Sequence, residues 1–183
     1  MKKQVMMSIS LVVMGIFLLG FATVAMAGHE IVGAPKCKSC HKAKTGDQWG
    51  KWLGSKHAGA FETLASDAAK KIAAEKGIAD AQKEEACLKC HVTQAFLGRD
   101  VVINAKAKYL DSEGVGCEVC HGAGSDYKKK KIMKDRDAAI AAGMVRDTSA
   151  EFCMKCHNEE SPTFTGFNYE ERWAEIAHPV PAK

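Results

Sequence analysis

Four times in 183 residues the sequence reads Cys-x-x-Cys-His: Cys37-Lys38-Ser39-Cys40-His41, Cys87-Leu88-Lys89-Cys90-His91, Cys117-Glu118-Val119-Cys120-His121 and Cys153-Met154-Lys155-Cys156-His157. These strings take all eight cysteines and four of the seven histidines. A chance His after every pair has odds on the order of one in a million, whereas Cys-x-x-Cys-His is the attachment signature of c-type haem. Two thioether bonds fix the haem vinyl groups to the backbone, and the next residue is then placed so that its imidazole reaches the iron from one side. Two rival uses of paired cysteines, four-thiolate zinc sites and a thioredoxin-like redox pair, give the four His no role. No cysteine remains for a structural disulfide.

Lys2 and Lys3 precede an almost unbroken apolar run from Val5 to Val24 that closes on Ala25-Met26-Ala27. This is the layout of a secretory signal over 1–27, cleaved after Ala27. The run is also just long enough for a membrane anchor, but its small-x-small ending fits processing better. The expected mature chain, 28–183, is a single tetrahaem domain exported to the bacterial periplasm, with no stable membrane insertion. Four covalently attached haem c groups leave about 39 residues each, too little protein for a conventional core, so the porphyrins must supply it. Rings at that density lie close and exchange electrons fast. The formal charge of +4 is no sign of nucleic-acid binding, because eight haem propionates carry the mature protein to about −6 with ferrous and about −2 with ferric iron.

Hydrophobic spacing between the motifs predicts short helices. Trp49, Trp52 and Leu53 suggest one over 47–57 that carries His57 on a shared face. Phe61, Leu64, Ala68, Ile72 and Ala73 suggest a single helix over 59–76, stopped by Gly77. A third is expected from Ser125 to Ala142, with Gly143 as its stop. Thr148-Ser149-Ala150-Glu151 and Asn168-Tyr169-Glu170-Glu171 read as capping boxes, opening a helix that carries the fourth motif and a last helix ending at His178-Pro179. Only Val101 to Ile103 reads as a strand. The expected class is mainly α, a multihaem cytochrome c with four closely packed covalent haems, short helices, long loops and little or no sheet.

The second axial position of each iron separates electron transfer from ligand chemistry. His41, His91, His121 and His157 occupy the first positions, which leaves His29, His57 and His178 for four irons. At least one iron therefore lacks an internal His on its second side. It is open, or takes Met, Lys or Tyr, or borrows a His from another copy of the chain. His178 ends a helix, where its charge would alternatively suit the helix dipole. His29 would be the second residue of the mature chain, where fraying is usual. Met133 and Met144 read as core filler. Lys128 to Lys131 reads as a solvated face, or else as a docking patch or propionate partner. Trp49, Trp52 and Trp173 are expected to pack on haem edges.

Lys36-Cys37-x-x-Cys40-His41 followed by Trp52-x4-His57-Ala58, and the string Gly114-Val115-Gly116-Cys117-Glu118-x-Cys120-His121-Gly122-x-Gly124, resemble the tetrahaem cytochrome c-554 family, which is related to the haem domain of hydroxylamine oxidoreductase. The resemblance covers most of the mature chain. It implies a mostly helical protein with haems in closely packed pairs, His57 and His178 as distal ligands, and a five-coordinate second haem at His91. Relatives often carry a distal His shortly after the third motif, and Ser125-Asp126-Tyr127-Lys128 contains none. Tyr127 or His29 would have to substitute. Ala123 also stands where the family commonly has Pro.

The function expected is a soluble electron carrier with mostly bis-His haems, taking electrons from a quinol-oxidising membrane complex or a periplasmic oxidoreductase and passing them to a terminal reductase. One alternative is a small enzyme reducing a nitrogen oxide or turning over hydroxylamine at an open haem, although no string of acid-base residues marks such a site. Another is a conductive filament, a homo-oligomer in which His29 ligates a haem of the next copy.

Overall fold

Side-chain caps and glycines interrupt this chain so often that the longest helix among the described residues has nine residues. The computed structural model describes residues 28–98, 101–107 and 112–178, and both the expected leader and Pro179 lie outside the described residues. Helix α1, Gln48–Leu53, starts where the Asp47 carboxylate accepts from the Gly50 amide at 3.3 Å. His57 is not on this helix, contrary to expectation, but in the turn beyond it. Gly54 closes α1, and Leu53 on the expected inner face is 57% exposed. Trp52 sets the position of the turn instead. Its indole Nε1 donates to the Val115 carbonyl at 2.8 Å, and the Val115 amide donates to the His57 carbonyl at 2.9 Å.

The single helix expected over 59–76 is two, Ala60–Thr63 (α2) and Asp67–Glu75 (α3). Ser66 divides them, its hydroxyl accepting from the Ala69 amide at 3.2 Å, because a serine side chain competes with the backbone ladder and favours a helix start. Gly77, with φ 68°, is the stop that was expected. Two contiguous helices follow, Glu85–His91 (α4) and Thr93–Leu97 (α5), and the third motif itself forms Cys117–His121 (α6).

The span from 125 to 142 is likewise split, into Lys130–Met133 (α7) and Arg136–Ala141 (α8). Asp135 starts the second of these by accepting from the amides of Asp137 and Ala138, both at 3.0 Å. Ala150–Cys153 (α9) is capped by Ser149, one residue later than the proposed box, and Tyr169–Ile176 (α10) by Asn168 as expected. Helix α10 stops two residues short of His178. Val101 to Ile103 supplies one parallel bridge, Ile103 to Ile31, and no named strand occurs among the described residues.

Burial falls in two places. Leu64, Ala73 and Ala81 form a small cluster with Phe61, Ile78, Cys87 and Leu88, which seats α2 and α3 against the second motif. On the other side Ile31, Val32 and Ala34 are at most 1% exposed. Their segment lies along the third motif.

Candidate haem sites

All four attachment strings form the same local turn. His41 and His157 each donate a backbone N–H to the carbonyl four residues back, that of Cys37 at 3.0 Å and of Cys153 at 3.1 Å, while the second and third strings lie within α4 and α6. One helical turn puts the two cysteines of each string on one face with the His beside them. Burial raises the Cys87 and Cys153 thiols, takes Cys120 up to about 11 and brings Cys156 up to about 12, while the neighbouring Cys37, together with burial, raises Cys117. These sulfurs favour an uncharged state, which suits thioether attachment and opposes thiolate coordination of zinc. Among the described residues no group of three or more His, Cys, Asp and Glu converges as a metal site.

Several imidazoles have one ring nitrogen tied to an oxygen. Nδ1 of His91 meets the Ala60 carbonyl at 2.6 Å, that of His121 the Val145 carbonyl at 3.2 Å, and that of His178 the Ile176 carbonyl at 2.8 Å. A weaker contact of 3.4 Å joins Nδ1 of His41 to the Gln48 side-chain oxygen. A proton held on Nδ1 by an oxygen acceptor leaves Nε2 as the metal-binding nitrogen. Two pairs of imidazoles from distant parts of the same chain then provide a direct test of fit. The rings of His57 and His157 stand 6.0 Å apart between centroids, and so do those of His121 and His178. An imidazole bonded through nitrogen at about 2 Å puts its ring centre about 3 Å from a metal, so two of them on one iron stand about 6 Å apart. The residues fit the group. Burial also lowers the pKa of His57, His121 and His157, which favours the neutral imidazole, the form that a metal binds.

The motifs neighbour one another in a definite order. Cys117 stands beside Cys37, Cys156 beside Cys90, and Cys120 within electrostatic reach of Cys153. The first string therefore adjoins the third, the third adjoins the fourth and the fourth adjoins the second. In chain order the strings run 1, 2, 3, 4, but in space they run 1, 3, 4, 2. Lys89 and Glu160 form an ion pair across the last of these junctions.

Two buried carboxylates that the sequence reading passed over hold the first junction together. Glu118 is fully buried. It accepts from the Val32 amide at 3.0 and 3.1 Å, from Gly33 at 2.7 Å and from Gly124 at 2.6 Å. Glu113 accepts from the Ala34 amide at 2.8 Å through Oε2, while its buried Oε1 has no hydrogen bond of ordinary geometry among the described residues. Burial, with the neighbouring Glu118 charge, raises Glu113 from 4.5 to about 7. Glu118 is also raised by burial, but its three backbone donors oppose the shift. The only sequence signal was an acid inside Cys117-x-x-Cys120, and nothing local distinguishes it from a surface glutamate.

Other residues fall as follows. Lys128 to Lys131 are all exposed, in accord with a solvated face. Trp49 packs on Trp52 with ring centres 5.0 Å apart, and Trp173 stacks on Tyr169. His29 is tied to Asp126, its Nδ1 lying 2.8 Å from the carboxylate, so the fraying expected of it is not what the fold gives. Tyr127 is buried, and its hydroxyl donates to the Gly122 carbonyl at 2.6 Å.

Four haem-attachment turns on a mostly helical scaffold with little protein core, two of them faced by a second imidazole, define a multihaem c-type cytochrome with four covalently attached haem c groups. The family described as "Cytochrome c554 and c-prime" matches residues 36–122. Cytochrome c-554 of Nitrosomonas europaea is 33% identical over 129 residues, 68% of this chain and 52% of that protein. The C-type polyheme cytochrome OmcC of Geobacter sulfurreducens is 29% identical over 94 residues, 47% of this chain and 12% of that protein. The chain's matches thus span about half the length of the first relative and a small part of the second. The solved structure of reduced cytochrome c554 from Nitrosomonas europaea matches with a TM-score of 0.51 at 27% identity, over 81% of this chain and 79% of that one. The chain belongs to the cytochrome c554 family.

Proposed function

We propose that the protein is an exported electron carrier whose third and fourth haems are bis-His, with His178 opposite His121 and His57 opposite His157, and with the eight motif cysteines as the thioether anchors. When bound, the haems supply reversible one-electron chemistry at iron, with low potentials where both axial ligands are His. What the chain contributes is order and ligand supply. The observation that carries the reading is the succession of neighbouring attachment turns in the spatial order 1, 3, 4, 2. An entry point at one end and an exit at the other is what relaying between two redox proteins requires.

The second haem, at His91, is the open one in this reading. Its attachment helix packs against Phe61, Leu64, Ile78, Ala73 and Ala81. A relay of adjoining turns, which chemistry at a single haem does not need, favours the carrier over a nitrogen-oxide or hydroxylamine enzyme. Attachment of His29 to Asp126 of its own chain likewise favours a discrete protein over a filament. No helix among the described residues is long and apolar enough to cross a membrane. The redox partners are proposed to be a quinol-oxidising membrane complex or a periplasmic oxidoreductase on one side and a terminal reductase on the other.

Carbon monoxide titration of the reduced, haem-loaded mature protein, combined with stopped-flow mixing with an oxidised small redox protein, tests this. One equivalent of carbon monoxide per chain and monophasic loss of all stored electrons within the mixing experiment are expected. Turnover of nitric oxide or hydroxylamine at that haem without electron delivery to a protein partner would replace the carrier by the enzyme.

A further inference from the structure

Seven imidazoles serve four attachment turns, and two pairs from distant parts of the same chain use four of them. Three are left: His41, His91 and His29. The position of His29 decides between the other two. Its segment runs along the third motif, where the Glu30 amide donates to the Ser125 hydroxyl at 2.9 Å and the Ser125 amide to the Glu30 carbonyl at 3.1 Å. The carboxylates of Glu118 and Glu113 then hold the amides of Val32, Gly33 and Ala34, from which the chain passes directly into Cys37. Tyr127, next to Asp126, lies within electrostatic reach of both Cys37 and Cys117. His29 is therefore on the side of the first and third motifs. His91 is on the other side, against Ala60 and the cluster of α2 and α3.

Orientation supports the same assignment. Asp126 holds Nδ1 at 2.8 Å. Gly143 lies close against the ring: a Cβ added there would stand 2.6 Å from Nε2, 2.7 Å from Cε1 and 2.9 Å from Cδ2. Such nearly equal distances mean that it would sit over the ring face, not in the ring plane. The lone pair of Nε2 lies in that plane, so Gly143 shields the face and leaves the nitrogen free to bind metal. No hydrogen bond claims Nε2 among the described residues. Tyr127 is not a rival, since its hydroxyl is spent on the Gly122 carbonyl and burial keeps the phenol protonated.

We propose that His29 is the sixth ligand of the first haem of its own chain, opposite His41, and that Asp126 is the residue that positions it. The inference rests on the tetrahaem carrier reading and completes its ligand set, leaving the haem at His91 as the open one. Asp126 does more than hold the ring. A carboxylate accepting from Nδ1–H gives the imidazole more anionic character, stabilises the ferric state and lowers the potential of that haem.

The test uses the haem-loaded mature protein, with four covalent haems verified by intact mass. His29→Ala should convert one further haem from low to high spin in electron paramagnetic resonance, and should raise carbon monoxide binding from one to two equivalents. Added imidazole should restore the low-spin signal. The change should be the same in dilute and concentrated samples, and Tyr127→Phe should leave the spectrum as it was. Asp126→Asn should keep the low-spin haem but shift one midpoint potential upward, which loss of a merely structural contact would not do. An unchanged spin state in His29→Ala overturns the proposal, as does a parent protein that becomes high spin on dilution. Should His29→Ala lose covalent haem, Asp126→Asn decides: four unmoved potentials overturn the proposal. Failure here with intact effects in His57→Ala and His178→Ala would refute the His29 assignment alone. Failure in all three would refute the ligand set of the carrier.

Discussion

Replacing Glu118 with alanine removes one carboxylate and leaves three buried N–H groups, those of Val32, Gly33 and Gly124, without an acceptor. An unsatisfied buried donor costs about 1–3 kcal/mol, so the gross loss is about 3–9 kcal/mol. Removal of a buried charge recovers part of this, because the carboxylate no longer has to be kept out of water, and breaking comparable buried charged networks costs about 3–5 kcal/mol net. Against a typical domain stability of about 5–15 kcal/mol, that is a large fraction. The loss should show as a lower guanidinium midpoint followed by Soret circular dichroism, and as faster hydrogen exchange at the same three amides. Glu118→Gln keeps an acceptor oxygen and should lose less. A midpoint within about 1 kcal/mol of the parent for Glu118→Ala, with the three amides still protected, would refute the idea that this carboxylate holds the N-terminal segment on the third motif.

Four further outcomes are expected. Glu113 has a folded pKa of about 7 against 4.5. Between those values the folded protein keeps a proton that the unfolded chain has released, so its contribution to stability falls as pH rises through the window and is level above it, by up to about 3 kcal/mol. Glu113→Gln should thus gain on the parent between pH 4 and pH 8 in denaturation curves, and a pH-independent difference would contradict the assignment. His57→Ala and His178→Ala should each turn one low-spin haem high spin with all four haems still attached, as read by absorption and mass; unchanged spectra in both would remove the paired-imidazole reading. Gly143→Ala meets the His29 ring as well as a φ of 94°, and should both destabilise by about 1 kcal/mol and introduce a fraction of high-spin haem in the absorption spectrum. Cys37→Ala should lower the covalent haem count by one in intact mass.

The strings expected to anchor haem are local, because a thioether pair and its His occupy a single helical turn and carry their whole signature within five residues. Helix ends were legible for the same reason. Gly77 and Gly143 stop helices through a positive φ that other residues resist, and Asn168 caps α10 with its own side chain. Local reading failed where a cap fell inside an apolar pattern. Ser66 and Asp135 break runs whose periodicity alone suggests one long helix each, since a hydrophobic stripe records a face and says little about whether the backbone along it is continuous.

Pairing lay beyond the sequence. His57 and His157 are a hundred residues apart, His121 and His178 fifty-seven, and the choice among such partners depends on where turns far apart in the chain come to rest. Glu118 carries the same lesson in reverse. Its letter in the sequence is that of a solvent-facing acid, and only the converging amides of Val32, Gly33 and Gly124 make it an internal tether. The covalent chemistry of this protein is a property of short strings. The facing imidazoles, the spatial order 1, 3, 4, 2 and the tie of His29 to Asp126 arise from contacts between segments that no local pattern connects.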